Sequence, residues 1–175
     1  ECDDQFTARY IVPLPREDPW PTYQAVRQLL ADQPHLASTL VGLDVASFEE
    51  GFPPKQFRPI FQQIARDNIA HPARPLTAVY HVGETFFDKS LESAARWCHE
   101  AALMGAKRLG HCIARGLAPA VAISRRPQAH ERELVSERLD QIAYDLRFAP
   151  QLRQMGVPVD ETRLAAERRQ LTKLA

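Results

Sequence analysis

The feature that most constrains this chain is a repeated alternation. Short strand-like runs occur at 7–13, 39–45, 76–81 and 106–110, separated by segments of helical periodicity. They recur at intervals of roughly 30 to 37 residues, the length of a strand, a crossover helix and the return to a neighbouring strand. The spacing predicts an α/β fold with parallel strands and right-handed crossovers. A sector of a β/α barrel and an open doubly wound sheet both satisfy it.

The helical segments carry their own punctuation. Asp18 precedes Pro19, an acceptor followed by a residue that needs no amide partner at the first helical position, which predicts a helix over about 19–32. Pro53 and Pro54 end a loop before a second helix over 55–68, where Phe57, Ile60, Phe61 and Ile64 recur at three and four and mark one buried face. Asp88 is the expected cap of a third helix over 89–104. Ala94, Ala95, Trp97, Cys98, Ala101 and Ala102 give it a surface of mostly small residues, and Gly105 stands where it should stop. From about Pro127 the character changes to charged helix. Leu134, Leu139, Ile142, Leu146 and Leu152 form a seam over 131–155, Pro150 should kink or split it, and Asp160 should cap a last helix over 161–174.

The chemistry-bearing residues stand at strand ends. The run 76–81 delivers His81, followed by Val82, Gly83 and Glu84, and the run 106–110 delivers His111. The two histidines are 30 positions apart, so the carboxyl ends of neighbouring parallel strands can bring them to one pocket. Zinc-dependent hydrolysis needs such groups: an imidazole to hold metal, a carboxyl to move a proton and a second imidazole to steer water.

At these residues the chain resembles the adenosine deaminase-like family of metal-dependent hydrolases, part of the amidohydrolase superfamily. His81-Val-Gly-Glu84 is similar to the family's His-Ala-Gly-Glu signature, and Arg108-Leu-Gly-His111-Cys112 to its Arg-Ile-Gly-His-Gly signature. Val41-Gly-Leu-Asp44-Val-Ala-Ser47-Phe-Glu49 resembles the Gly-Ile-Asp-Leu-Ala-Gly-x-Glu stretch that precedes them in the same order. The resemblance covers roughly 6–117. It implies a partial (β/α)8 TIM-type barrel of about four β/α units over 1–124. Residues 125–175 read as a charged helical insertion on the barrel rim, either a solvated amphipathic hairpin that only packs on the barrel or a segment that covers the pocket or contacts another subunit as a homo-oligomer. The family's opening His-x-His pair has no counterpart among the six histidines, and the only Asp-Asp, Asp3-Asp4, lies on the wrong side of the other motifs. A complete barrel usually needs about 250 residues, and this chain has 175. The expectation is therefore an internal part of a longer protein, with the isolated chain inactive.

The activity implied is hydrolytic deamination of adenosine or a related aminopurine, with ammonia released and one Zn2+ per site. His81 would be a zinc ligand, its other ring nitrogen held by an acceptor, and zinc would lower the pKa of bound water toward about 7. His111 would take a proton from that water or orient it, and Glu84 would donate a proton to the purine ring. Asp44, Ser47, Glu49 and Gly83 would line the nucleoside or nucleobase, Asp44 and Glu49 by hydrogen bonding. His81 alone would not hold metal tightly. Two positions depart from the family's glycines, Ser47 and Cys112, and a side chain at either narrows close backbone approach. Another amidohydrolase reaction on the same scaffold, or a non-catalytic half-barrel used for assembly or partner binding, remains open.

Composition sets outer bounds. Lysine plus arginine and aspartate plus glutamate each number 22, so no net field gathers nucleic acid or an anionic membrane. No apolar run approaches the roughly 20 residues of a membrane span, and no signal peptide opens the chain, so the expected location is the cytoplasm. Cys2, Cys98 and Cys112 form no CxxC pair and read as reduced thiols.

Overall fold

The computed structural model describes residues 7–84, 89–118, 120 and 134–175. The chain divides into two compact units, Glu1–Ala118 and Pro119–Ala175. The first is a mixed α/β unit around a four-stranded parallel sheet in the order β1-β2-β3-β4, with β1 at Tyr10–Pro15, β2 at Leu40–Ala46, β3 at Thr77–Val82 and β4 at Arg108–His111. Helices α1 (Trp20–Asp32), α2 (Arg58–Ala70) and α3 (Leu91–Leu103) make the crossovers, and a short turn α4 (Ile113–Gly116) follows β4.

Strand alternation decides what each face carries. Leu14, Leu43, Val45, Ala78, Tyr80 and Val82 join Tyr23, Val26 and Leu30 of α1, Ile60, Phe61 and Ile64 of α2, and Trp97, Cys98 and Ala101 of α3 in one buried cluster. All three crossover helices therefore pack on the same face of the sheet. Tyr80 is its centre, with ring contacts to Phe57 at 5.7 Å and Phe61 at 5.9 Å between centroids. Asp44 and His81 alternate with these residues and belong to the opposite face. In the register Tyr80 pairs with Val45 and His81 with Gly110, so the strand ends lie side by side.

The expected apolar face of α2 is buried at all four positions, Phe57 in a 3-10 turn at Pro54–Phe57 that precedes the helix proper. Two caps differ from expectation. Asp18 accepts the Trp20 amide at 3.2 Å but precedes the cap position, which Pro19 occupies. Ser90 caps α3 through the Ser93 amide at 3.0 Å, because its hydroxyl is the acceptor nearest the first turn; Asp88 lies outside the described residues. On α3, Ala94, Trp97, Cys98 and Ala101 are buried while Ala102 is exposed.

The second unit is helical: α5 (Val135–Arg147), α6 (Ala149–Gln154) and α7 (Glu161–Leu171). The expected break falls at Phe148, which places Pro150 in the first turn of α6, where its missing amide breaks no helical bond. Asp160 caps α7 through the Arg163 amide at 2.9 Å. Arg138 of α5 holds Glu167 of α7 with two nitrogens, at 2.7 and 3.0 Å. Among the described residues no helix is long and apolar enough to cross a membrane.

Candidate functional site

The ends of β2, β3 and β4 bring four of the residues expected at the site into two close pairs, one hydrogen-bonded and one within ion-pair distance. His81 Nδ1 lies 2.9 and 2.7 Å from the two Asp44 oxygens. A carboxylate can only accept, so Nδ1 carries the proton, and in the neutral imidazole Nε2 keeps its lone pair. The acceptor expected behind His81 is thus Asp44, on the neighbouring strand. The second pair is His111 Nε2 and Glu84 Oε2 at 3.3 Å. The two imidazoles stand edge to face with centroids 5.0 Å apart.

Gly110 makes this approach possible. A Cβ there would lie 2.5 Å from His81 Cδ2 and 2.7 Å from Nε2, so the His81 ring rests directly on the bare backbone of β4. Any side chain at 110 would displace it. Beyond Gly110 the strand ends in two consecutive left-handed residues, His111 at φ +59° and Cys112 at φ +50°. That conformation costs about 1–2 kcal/mol per non-glycine residue, and such strain concentrates where geometry serves function.

The other expected site residues take different roles. Glu49 is 3% exposed, and its Oε1 accepts the Gly83 amide at 2.9 Å. It pins the turn that carries Glu84, and the Gly83 amide is bonded within the protein rather than presented to a ligand. Ser47 is exposed just past β2 at φ +87°. The Glu84 side chain is 59% exposed.

Arg16 is the site residue that sequence reasoning did not find. It sits just past β1, is 3% exposed, and donates to the Ser47 carbonyl at 3.2 Å, the Tyr80 hydroxyl at 3.1 Å and the His81 carbonyl. Its guanidinium also lies 5.0 Å from the Tyr80 ring centroid, a cation–π contact. One side chain therefore ties the ends of β1, β2 and β3 together. Burial pushes the Tyr80 hydroxyl above its ordinary value, against the pull of Arg16, so Tyr80 stays neutral at physiological pH. In the sequence Arg16 sits in a charged loop, and nothing there separates it from a solvated cation.

As a metal site the described residues are incomplete. His81 Nε2 suits a metal ligand whose partner nitrogen is fixed by a carboxylate. Among the described residues, however, no group of three or more His, Cys, Asp or Glu side chains is positioned to hold an ion. No protein-family model matches this chain, and no curated protein matches it.

Proposed function

We propose that the first unit is a sector of a β/α barrel carrying part of an adenosine deaminase-like hydrolytic site, which releases ammonia from adenosine or a related aminopurine. The observation that carries this reading is the meeting of the Asp44–His81 and Glu84–His111 pairs across the ends of three adjacent parallel strands. Two further features support it. The consecutive strand order with every crossover helix on one face is what a barrel wall requires, whereas a doubly wound sheet puts helices on both faces. The two positions where the resemblance expects glycine, Ser47 and Cys112, both hold the left-handed backbone that glycine favours.

In this reading His81 Nε2 would be one ligand of a zinc ion, with the remaining donors outside the described residues. Zinc, when bound, supplies Lewis acidity that makes water nucleophilic near neutral pH. Asp44 keeps His81 in the tautomer that leaves Nε2 unprotonated. His111 Nε2 accepts a proton from the attacking water, and the adjacent Glu84 Oε2 delivers one to the purine ring nitrogen, so the pair moves a proton without charge building on the ring. Arg16 and Glu49 hold the backbone beneath these groups, and the base would lie against the open end of β2.

The test is ammonia release from adenosine and other aminopurines by zinc-loaded protein that includes those remaining donors, compared with its Glu84→Gln and His111→Asn variants. Each variant is expected to lose about 10²-fold or more in rate, the usual worth of a positioned acid or base. Variants that keep the full rate, or no ammonia above blank from any aminopurine, would overturn the assignment.

A further inference from the structure

Cys98 and Cys112 are 14 positions apart in the sequence and come together in the fold. Cys98 lies on the buried face of α3 and is 2% exposed; Cys112 follows His111 and packs, partly buried, against the same core cluster. Gly83 shows how close they are. A Cβ built on it would stand 2.7 Å from Cys98 Sγ and 3.5 Å from Cys112 Cα, so both cysteines border one point beneath the His81–Glu84 turn. Both are free thiols. Burial first, and then the neighbouring Cys112 thiol, push Cys98 above its ordinary value.

The environments are unequal in a useful way. Cys98 Sγ is enclosed, within hydrogen-bonding reach of the Ala94 carbonyl at 3.4 Å, and no solvent-borne reagent meets it first. Cys112 is partly exposed where Cys98 is buried, so it is the member a small oxidant reaches. A resolving thiol next to an accessible one is the arrangement that captures a sulfenic acid before it oxidises further.

We propose that Cys98 and Cys112 form an oxidisable dithiol site for hydroperoxides, with Cys112 the thiol attacked and Cys98 the thiol that resolves it. The Cys112 sulfur takes one peroxide oxygen as the O–O bond breaks, giving a sulfenic acid and water or an alcohol. The Cys98 sulfur then attacks the sulfenic sulfur; the S–S bond forms, the S–O bond breaks, and the oxygen leaves as water with the Cys98 proton. Two thiols are oxidised to one disulfide, and one peroxide is reduced.

The bond has a consequence for the strand end. It requires a sulfur separation of about 2.05 Å, closer than two unbonded thiols can approach. Cys112 is anchored through its amide to the Val82 carbonyl at 2.9 Å and adjoins His111. Drawing its sulfur toward α3 therefore pulls on the backbone that carries the His111 imidazole. The spacing of the cysteines hid this pairing, because only the return of β4 beside β3 brings them together.

The test uses a Cys2→Ser chain, so that only this pair can react, treated with hydrogen peroxide under native conditions. The expected product is lighter by two hydrogens, yields one cross-linked peptide pair containing both residues, and reverts on treatment with a dithiol reductant. In a further Cys112→Ser variant, Cys98 is expected to remain fully alkylatable after unfolding. The proposal is overturned if Cys112 accumulates as sulfinic acid while Cys98 stays reduced, or if both thiols survive peroxide that oxidises a free thiol peptide in the same tube. These readouts are covalent and do not depend on any deaminase activity.

Discussion

The candidate site is governed by single backbone positions. At Ser47 the chain holds φ +87° with an exposed side chain, so replacement by glycine removes left-handed strain and takes away no buried contact. Ser47→Gly is expected to raise unfolding stability by about 1 kcal/mol, the strain relief less the entropy glycine adds to the unfolded chain; urea denaturation measures it. Gly110 predicts the opposite sign. Gly110→Ala places a carbon within 2.5 Å of the His81 ring, and the ring must swing off β4. The variant is expected to lose about 1–3 kcal/mol of stability, the usual cost of overpacking, and to break the Nδ1 bond to Asp44. Histidine ring resonances report it directly: a His81 Nδ1 proton signal unchanged from the parent would refute the packing argument. The motif histidines and glutamate were readable because strand-end positions follow from periodicity. Arg16 was not, since burial of a loop cation depends on which aromatic rings fold beneath it.

At the scale of elements, the helices follow local rules. Helices α5 and α7, which bury Ile142 and Leu164, are also joined by Arg138 and Glu167, bonded at 2.7 and 3.0 Å. The bond from Arg138, partly offset by burial, holds the Glu167 carboxyl below its ordinary value of 4.5. A depressed folded value means the stabilisation is complete above 4.5 and disappears as pH falls through the lower folded value. A double-mutant cycle with Arg138→Met and Glu167→Gln is expected to give a coupling of about 0.5–1 kcal/mol near neutral pH, as for a partly exposed bidentate pair. The coupling should vanish in acid; one that persists there would show contact unrelated to charge. Helix ends were legible to within a few residues, and the caps less so. Ser90 caps α3 by accepting the Ser93 amide.

For the whole molecule, the buried phenols set an alkaline limit. Burial raises Tyr80 above the ordinary 10.0, and burial with the hydrogen bond to Asp67 raises Tyr23. Both stay protonated in the fold while the unfolded chain ionises, so stability is full below about pH 10 and falls as pH rises through the raised folded values. Urea midpoints measured across that range should decline, and the decline should be shallower in Tyr80→Phe. A midpoint independent of pH would contradict burial of these hydroxyls.

The order of strands and helices, the apolar face of α2, the change to charged helix beyond the sheet and the strand-end histidines all followed from the amino-acid sequence, because period and punctuation are local properties. Which residues face one another did not. The Asp44–His81 bond, the ring of His81 resting on Gly110 and the Arg16 clamp each join different strands, and only the registers of β1, β2, β3 and β4 decide them. Parallel pairing aligns residues some thirty positions apart, and no pattern within one element records that alignment.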